Sequence, residues 1–574
     1  MILRQRRQKG SQHSNARVQN DPNIAKMTAQ LRGIYIDCQY PVQLKLKLIS
    51  VLWSPSELVS SWISNCMSIR YFALRLKYSR KMNAFYSHIV ALGCLSGHGP
   101  VDIGMANILA CHVNLFLGTL SPHAQRSPHL RPIIERALKG EFFGNFLLSE
   151  VGHGLDIVNI ETTATKVKDG FMLNTPHPRA AKIMPPTTPV AGFPKMAIVI
   201  ARLIVDDEDR GIHPFLVHTS DDNGMCAGIT SMRLPSRVGS SPLDFAITTF
   251  NQVYLPSVAF LGVSFDKPHD LRLLLHQYLW RIGLGTALIA FPAVNALGLV
   301  ATIGGDYSCR RHVQGKGREE IPIISFRTQQ LPILQAVAAA HILRAWQPAI
   351  IEVIMDRNQD SRAKHGMGVV FKATVARTVV VLAGKVGERM GAQGLFPHNL
   401  ISQLEEDIRG VAIAEGDILV LSIRLFSELL LNRYSLPQPT RSRSLLSRHS
   451  ASIFAEYSSV LKSLPMGHQD PKYNNLILPH SETALISVGH AHAHSAALDA
   501  GVPQPLLEIF ELFAMHQDEA WYVEHAGMTK ARRHELEDRA VQAALPHLKD
   551  YLDALDFRKY YHVPIQSDQA WDTW

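Results

Sequence analysis

Between about residues 146 and 269 the chain changes texture, and that change limits the folds open to it. Short apolar runs appear there, separated by Gly, Pro and Asp: F-M-L-N-T (Phe171 to Thr175), M-A-I-V-I-A-R-L-I-V (Met196 to Val205) and H-P-F-L-V-H (His213 to His218). Runs of this length and spacing predict short strands in a small barrel or sandwich. On both sides the pattern is helical. Ile89 to Leu120 is rich in Ala, Leu and Ile, and Pro128 to Leu138 reads as one short helix ending near Gly140. Beyond the β-rich part, Leu331 to Trp346, Val369 to Val386 and Ile413 to Leu431 are long apolar stretches. Ser435 to Leu446 reads as a linker, followed by helices over Pro505 to His516 and Lys530 to Leu555. The expected fold class is α+β, mainly α. Its parts are a basic, disordered segment (1–30), a helical domain (31–145), a small β-barrel or sandwich domain (146–269), and two helical-bundle domains (270–434 and 435–574).

A chain of 574 residues exceeds what one hydrophobic core organises. Hydrophobic content of 46% against 19% charged residues describes a globular protein and excludes a largely disordered one. The net charge of +9 suits a polyanionic ligand. No aromatic–basic RNA signature or zinc-finger spacing accompanies it, so no nucleic-acid partner is expected. Six scattered cysteines without C-x-x-C imply reduced thiols. The basic opening M-I-L-R-Q-R-R lacks an apolar core, so a secretory leader is not expected, and Asp572-Thr573-Trp574 is not an S-K-L-type address. Leu279 to Gly305 is long enough to span a bilayer, but Arg281, Pro292 and Asn295 point to a buried bundle helix, and no membrane span is expected.

Five segments carry the functional argument. In S-E-V-G-H-G (Ser149 to Gly154), followed by I-E-T-T-A (Ile160 to Ala164), Ser149 offers a hydroxyl, and Gly152 and Gly154 permit a tight turn. Small residues let a flat ring approach backbone N–H groups. A surface β-turn is the plainer reading. Tyr307-Ser308 precedes Arg310-Arg311, and the fork of Arg311 suits phosphate oxygens, or is simply a surface arginine. I-P-I-I-S-F-R-T-Q-Q (Ile321 to Gln330) ends on Thr328, Gln329 and Gln330, which could cap a helix. Gly391-Ala392-Gln393-Gly394 reads as a helix-terminating loop. Glu415 stands in V-A-I-A-E-G-D-I-L-V-L, where desolvation would raise its pKa and its basicity toward a carbon acid; otherwise it caps the next helix.

Together these strings resemble the acyl-CoA oxidases. The family has T-E-x-G-H-G followed by L-E-T-T-A, Y-S-x-x-R-R, P-I-I-x-Y-x-T-Q-Q, G-G-H-G and an acidic residue before Gly, in this order. It also has the same succession of a helical domain, a β domain and two helical domains. The resemblance covers roughly residues 90 to 560. It implies an FAD-dependent acyl-CoA oxidase that converts an acyl-CoA to a trans-2-enoyl-CoA, with oxygen reduced to hydrogen peroxide. Glu415 would take the α-proton. Ser149, Gly152, Gly154, Arg311, Gly391 and Gly394 would contact FAD, Arg311 across a homodimer interface. It further implies a peroxisomal location, otherwise cytoplasmic.

The chain departs from the family where W-W-P-G-G is expected. Ile183-Met184-Pro185-Pro186-Thr187 stands there, and Pro186 has no N–H to donate. Ile418 replaces an Asn after E-G-D, and Arg424 replaces a Gln. An acyl-CoA dehydrogenase using another acceptor and a non-catalytic relative kept as an interaction subunit remain alternatives. His490, His492 and His494 alternate in G-H-A-H-A-H-S and are read as part of a helix, with no metal expected.

Overall fold

The computed structural model describes residues 103–189, 194–240, 243–558 and 561–573. The expectations for 1–30, for 31–102 and for Cys38, Cys66 and Cys94 fall outside these residues.

The described chain opens with α1 (Ile103–Leu109), a π-helical stretch (Ala110–Leu117), α2 (Gly118–His123) and α3 (Leu130–Leu138). The β part follows: β1 (Phe143–Leu147), β2 (Thr163–Val167), β3 (Gly170–Asn174), β4 (Lys182–Met184), β5 (Lys195–Val205), β6 (Glu208–Asp221), β7 (Gly224–Met225), β8 (Ile229–Arg233), β9 (Ala246–Phe250) and β10 (Val253–Pro256). The larger sheet runs β10-β3-β2-β5-β6-β7, with β1 also on β5; a smaller sheet runs β4-β9-β8. β1 and β2 lie parallel to β5, and β6 lies antiparallel to it.

The almost unbroken apolar run of β5 has a physical reason. Strand side chains alternate between faces. Ala197, Val199, Ala201 and Leu203 enter the core between the sheets, while Ile198 and Ile200 enter the core shared with the helices. A strand buried on both faces has no polar side to show.

The helical part contains α4 (Leu271–Leu288), α5 (Phe291–Arg310), a short hairpin of β11 (His312–Gln314) and β12 (Glu320–Pro322), α6 (Arg327–Met355), α7 (Ser361–Arg389), α8 (Ile401–Ile413) and α9 (Ile418–Leu430). After a linker come α10 (Leu445–Ser463), α11 (Pro471–Leu476), α12 (Ser481–Asp499), α13 (Gln504–Met515), α14 (Glu519–Ala526), α15 (Lys530–Ala544), α16 (Leu548–Leu555) and α17 (Asp568–Thr573).

The span-like stretch from Leu279 is two helices broken before Pro292, and α5 is its buried half. Glycines let α5 lie at the centre of the bundle. A β-carbon at Gly298 would fall 2.0 Å from Phe557, one at Gly304 2.3 Å from Val386, and one at Gly305 2.6 Å from Leu552. By length and composition three helical segments could cross a membrane: Gln277–Arg310, Arg327–Met355 and Ser361–Arg389. The most apolar window of the first is wholly buried by protein.

Two expected helices are interrupted. Ile413 to Leu431 breaks over Ala414 to Asp417, and Lys530 to Leu555 passes through a 3-10 turn at Leu545–His547. The expected capping role for Thr328, Gln329 and Gln330 is corrected. Phe326 is the N-cap of α6 and no side chain caps it; Gln329 and Gln330 are buried, and their amides donate to groups outside the helix.

Candidate active site

The break between α8 and α9 presents Glu415. Asp417 caps α9 by accepting from the Val420 N–H at 3.1 Å, so the acidic residue that caps this helix is Asp417 and not Glu415. The link contains two consecutive left-handed residues, Glu415 with φ +57° and Gly416 with φ +97°. Gly adopts that region freely, but a residue with a β-carbon does so at a cost of about 1–3 kcal/mol unless its surroundings hold it there. They do. The Lys372 Nζ of α7 donates to Ala414 O and to Gly416 O, each at 2.5 Å. Thr286 Oγ1 of α4 lies 3.0 Å from both Ile282 O and Glu415 O, its one proton serving the two. Three consecutive carbonyls of the turn are thereby bound by side chains from two other helices.

The carboxylate packs where α4 has no side chain. A β-carbon on Gly285 would lie 2.6 Å from Cδ and both Oε atoms of Glu415. The cleft at this point is narrow, walled by Ile103, Leu288, Ile289 and Pro292, with Asn107 and Asn114 as its polar members. Glu415 as a residue is half-buried, but protein encloses its carboxyl. Burial pushes its pKa up to about 8, against the opposing pull of the Lys372 ammonium. Burial likewise brings Lys372 down to about 8 although Glu415 and Asp417 favour its charge. The neighbouring Cys111 thiol is pushed up to about 12, by burial first and by the Glu415 charge second. Among the described cysteines, Cys111, Cys226 and Cys309 are free thiols.

The Ser149 to Gly154 loop is organised by its glutamate. Both side chains of the Glu150–Lys182 pair are fully buried, 2.8 Å apart. Glu150 also accepts from the N–H groups of Glu161 (2.7 Å) and Thr162 (2.9 Å), and Lys182 donates to Leu148 O (3.0 Å). Burial alone would raise the Glu150 pKa; Lys182 and the two N–H donors outweigh it and hold the carboxyl below its ordinary value. The Glu of S-E-V-G-H-G thus ties this loop to the E-T-T segment.

One expectation for the loop is corrected. The N–H groups of Val151, Gly152, His153 and Gly154 donate to the carbonyls of Ala181, Arg179, Glu150 and Glu150, so they are already engaged within the chain. Gly152 has no space beside it, since a β-carbon would meet that of Arg179 at 2.8 Å, whereas Gly154, with φ +43°, faces open space. Ser149 is half-buried next to the loop, its carbonyl accepting from the Ile183 N–H. The divergent turn at Pro186 is fixed from beneath: Lys195 Nζ (2.9 Å) and Asn145 Nδ2 (3.1 Å) both donate to Pro186 O. Glu150, His153 and Glu161 bring potential ligand atoms within 4.8 Å of one another. Lys182 and two N–H groups already take up Glu150, and His153 pairs with Glu161 at 2.7 Å.

Arg311, Gly391 and Gly394 lie at the other end of the bundle. The Gln329 Nε2 donates to Ser308 Oγ (2.8 Å) and Arg389 O (3.1 Å), stitching together the Y-S-C-R-R, T-Q-Q and G-A-Q-G segments. Arg310 is held inside the chain by Asp568 and Ile565 O, while Arg311 is exposed. Gly391 has φ +58° and open space beside it; Gly394 packs on Gly387, whose carbonyl oxygen lies 2.2 Å from where a β-carbon would sit. Pro292 at the Glu415 cleft opens α5, and Arg311 follows its last residue. A helix of 20 residues spans about 30 Å, so the two groups of expected site residues stand roughly that far apart.

His490, His492 and His494 lie in α12 as expected, and burial pushes His490 down to about 3 and His492 to about 4. Among the described residues they join no group of three potential metal ligands.

The fold of the chain is that of the acyl-CoA oxidases. The Yarrowia lipolytica acyl-CoA oxidase 1 structure superposes with a TM-score of 0.73 at 17% identity, covering 92% of this chain and 88% of that one. Caenorhabditis elegans acyl-CoA oxidase-1, solved with FAD and ATP, gives 0.68 at 16% identity, covering 89% of each. The family model described as acyl-CoA oxidase, C-alpha1 domain, matches residues 285–430, which include Gly285, Lys372 and Glu415. A probable acyl-coenzyme A oxidase of Caenorhabditis elegans, acox-1.5, is 25% identical over 342 residues, 56% of this chain and 51% of that protein. The chain is thus similar to the acyl-CoA oxidases, at distant identity, in its fold and in the segment that carries Glu415. The matches span about half the length of the curated relatives.

Lys372, Thr286 and Gly285 were not singled out from sequence. Lys372 carried a usable signal, a lone charge within the apolar run V-V-F-K-A-T-V. Thr286 carried none.

Proposed function

We propose that this protein is an acyl-CoA oxidase that introduces a trans double bond between Cα and Cβ of an acyl-CoA thioester, with Glu415 removing the α-proton. One observation carries the reading. An enclosed glutamate, held in a left-handed turn and not used as a cap, faces a largely apolar cleft with its pKa raised to about 8. A carboxylate so raised is a stronger base than an ordinary one and is still partly ionised near neutrality.

The cleft walls at Ile103, Leu288, Ile289 and Pro292 would take the acyl chain and keep water from the reacting carbons. FAD, when bound, supplies the hydride acceptor and the reaction with oxygen that yields hydrogen peroxide. The residues fit it in part. The exposed Arg311 fork and the open faces at Gly391 and Gly154 suit a dinucleotide, while at the ring end Ser149 offers a side-chain hydroxyl in place of the engaged loop amides. Because Arg311, Gly391 and Gly394 stand about one 30 Å helix from the cleft, the reading assigns them to the cofactor of a second subunit in a homodimer, and Ser149, Gly152 and Gly154 to that of their own. The net charge of +9 suits the phosphates of coenzyme A. A peroxisomal location belongs to the same proposal, supported by relatives whose names include that compartment.

A second reading, a non-catalytic subunit that keeps the fold, is favoured by the engaged amides of Val151 to Gly154 and by Pro186. The test is the near-ultraviolet and visible spectrum of the purified protein, before and after anaerobic acyl-CoA. Flavin bands that bleach with substrate and return in air with release of hydrogen peroxide support the oxidase. A colourless protein that FAD does not reconstitute supports the second reading.

A further inference from the structure

We propose that Lys372 is a positioning residue for Glu415, holding the turn from both sides and lending its carboxylate a buried positive charge. Only the kinetic arm of this inference rests on the oxidase reading. Lys372 is wholly buried in α7, yet its ammonium does not form a simple ion pair; it bonds the carbonyls immediately before and after Glu415. A lysine recruited only to neutralise a carboxylate would point its Nζ at the oxygens. This one holds the backbone and acts on the carboxylate through space.

The geometry gives Lys372 two effects that separate experimentally. Mechanically, it stabilises a conformation that Glu415, with its β-carbon, does not adopt readily. Electrostatically, it favours the ionised carboxylate, opposing the burial that favours the neutral acid. The other groups facing Glu415 do not substitute for it. From α4 come Gly285 and a neutral hydroxyl on Thr286; from α5, Pro292; from the π-helical stretch, Cys111 and Asn114; from α1, Asn107. Asp417 acts on Lys372 by favouring its charge. Among the described residues, Lys372 is thus the cation that acts on the Glu415 titration.

The test is the titration of the Glu415 carboxyl, followed by its infrared C=O stretch and assigned by subtraction of Glu415→Gln. In Lys372→Gln, whose amide can still bond a turn carbonyl, the midpoint rises by about one pH unit. An unchanged midpoint overturns the proposal. The reciprocal measurement protects against a Gln variant that does not fold. In Glu415→Gln the Lys372 titration, read from its 13Cε resonance, moves down by a similar amount because coupling between two sites is mutual; an unmoved resonance overturns the proposal equally. Neither titration needs turnover, so both answer even for a protein whose flavin no acyl-CoA bleaches. Where turnover is found, Lys372→Gln lowers kcat about tenfold and changes KM less than twofold, because Lys372 acts on the base and not on the bound thioester. A loss confined to KM counts against the assignment.

Discussion

The Glu415 carboxylate occupies the volume that a side chain at Gly285 would fill. The two residues are 130 positions apart in sequence, yet the carboxylate carbon lies 2.6 Å from where a Gly285 β-carbon would be placed. Helix α4 therefore fixes the depth of the carboxylate in the cleft, while Lys372 and Thr286 fix the turn behind it.

Gly285→Ala follows directly. The added methyl displaces the carboxylate, because the helix backbone cannot retreat without breaking its packing. A displacement of about 1 Å in a catalytic group costs on the order of 100-fold in rate. Initial rates of acyl-CoA-dependent flavin reduction should fall by about that factor. Glu415 gives way at its side chain, so the thermal midpoint should move little.

The pH dependence has a definite sign. The proposed base works only as a carboxylate, so activity is present above the folded-state pKa and disappears as pH falls through it. With that pKa near 8, log kcat/KM should rise across pH 7 to 9 with a midpoint near 8, well above an ordinary carboxylate. Glu415→Gln should remove this limb together with about 10²–10⁴ of the rate. A profile already flat from pH 6 upward would mean Glu415 is not the titrating group.

Lys182→Met leaves Glu150 buried and without its cation, which costs about 3–5 kcal/mol. In the native protein the Glu150 pKa lies below its ordinary value, so its contribution is present above the unfolded pKa and lost as pH falls through the folded one. In the variant Glu150 can escape the penalty only by taking a proton. The deficit, measured by urea unfolding, should be large at pH 7 and shrink toward pH 4.

Arg310 and Arg311 should behave differently despite being neighbours. Arg310→Ala removes the bonds to Asp568 and Ile565 O and should loosen the C-terminal segment, raising its amide hydrogen exchange. Arg311 is exposed, and its proposed role is to hold cofactor phosphate across a dimer. Arg311→Ala should weaken FAD binding, read by flavin fluorescence, about tenfold or more and leave that exchange unchanged.

The sequence made the architecture legible because each layer left its own period. β5 reads as a strand since both its faces are buried, and α5 as a buried helix since small and apolar residues surround it on every side. Glu415 was legible as a candidate only together with the family-like strings upstream, since a lone E-G-D reads equally as a helix cap, and it is Asp417 that caps α9. The residues that control Glu415 were not. Lys372 and Thr286 act through hydrogen bonds to backbone carbonyls, and those leave no pattern in the side chains they serve. The engagement of the Val151 to Gly154 amides was hidden for the same reason, since their acceptors at Arg179 and Ala181 come from a separate turn. The Glu150–Lys182 pair joins positions 32 apart with no local signature.

The π-helical stretch from Ala110 to Leu117 makes the cleft depend on a count of residues as well as on their kinds. Its wider turns, seen in the bond from the Gly118 N–H to Val113 O, set Ala110 and Asn114 on the cleft wall, while His112 accepts from the Gly144 N–H. Removing one residue would tighten this stretch toward an ordinary α-helix and rotate everything before it by about 100° relative to everything after it. Ile103, Ala106 and Asn107 would then turn away from Glu415 with every side chain intact. The wall opposite the carboxylate is therefore more sensitive to a deletion in this segment than to most substitutions within it.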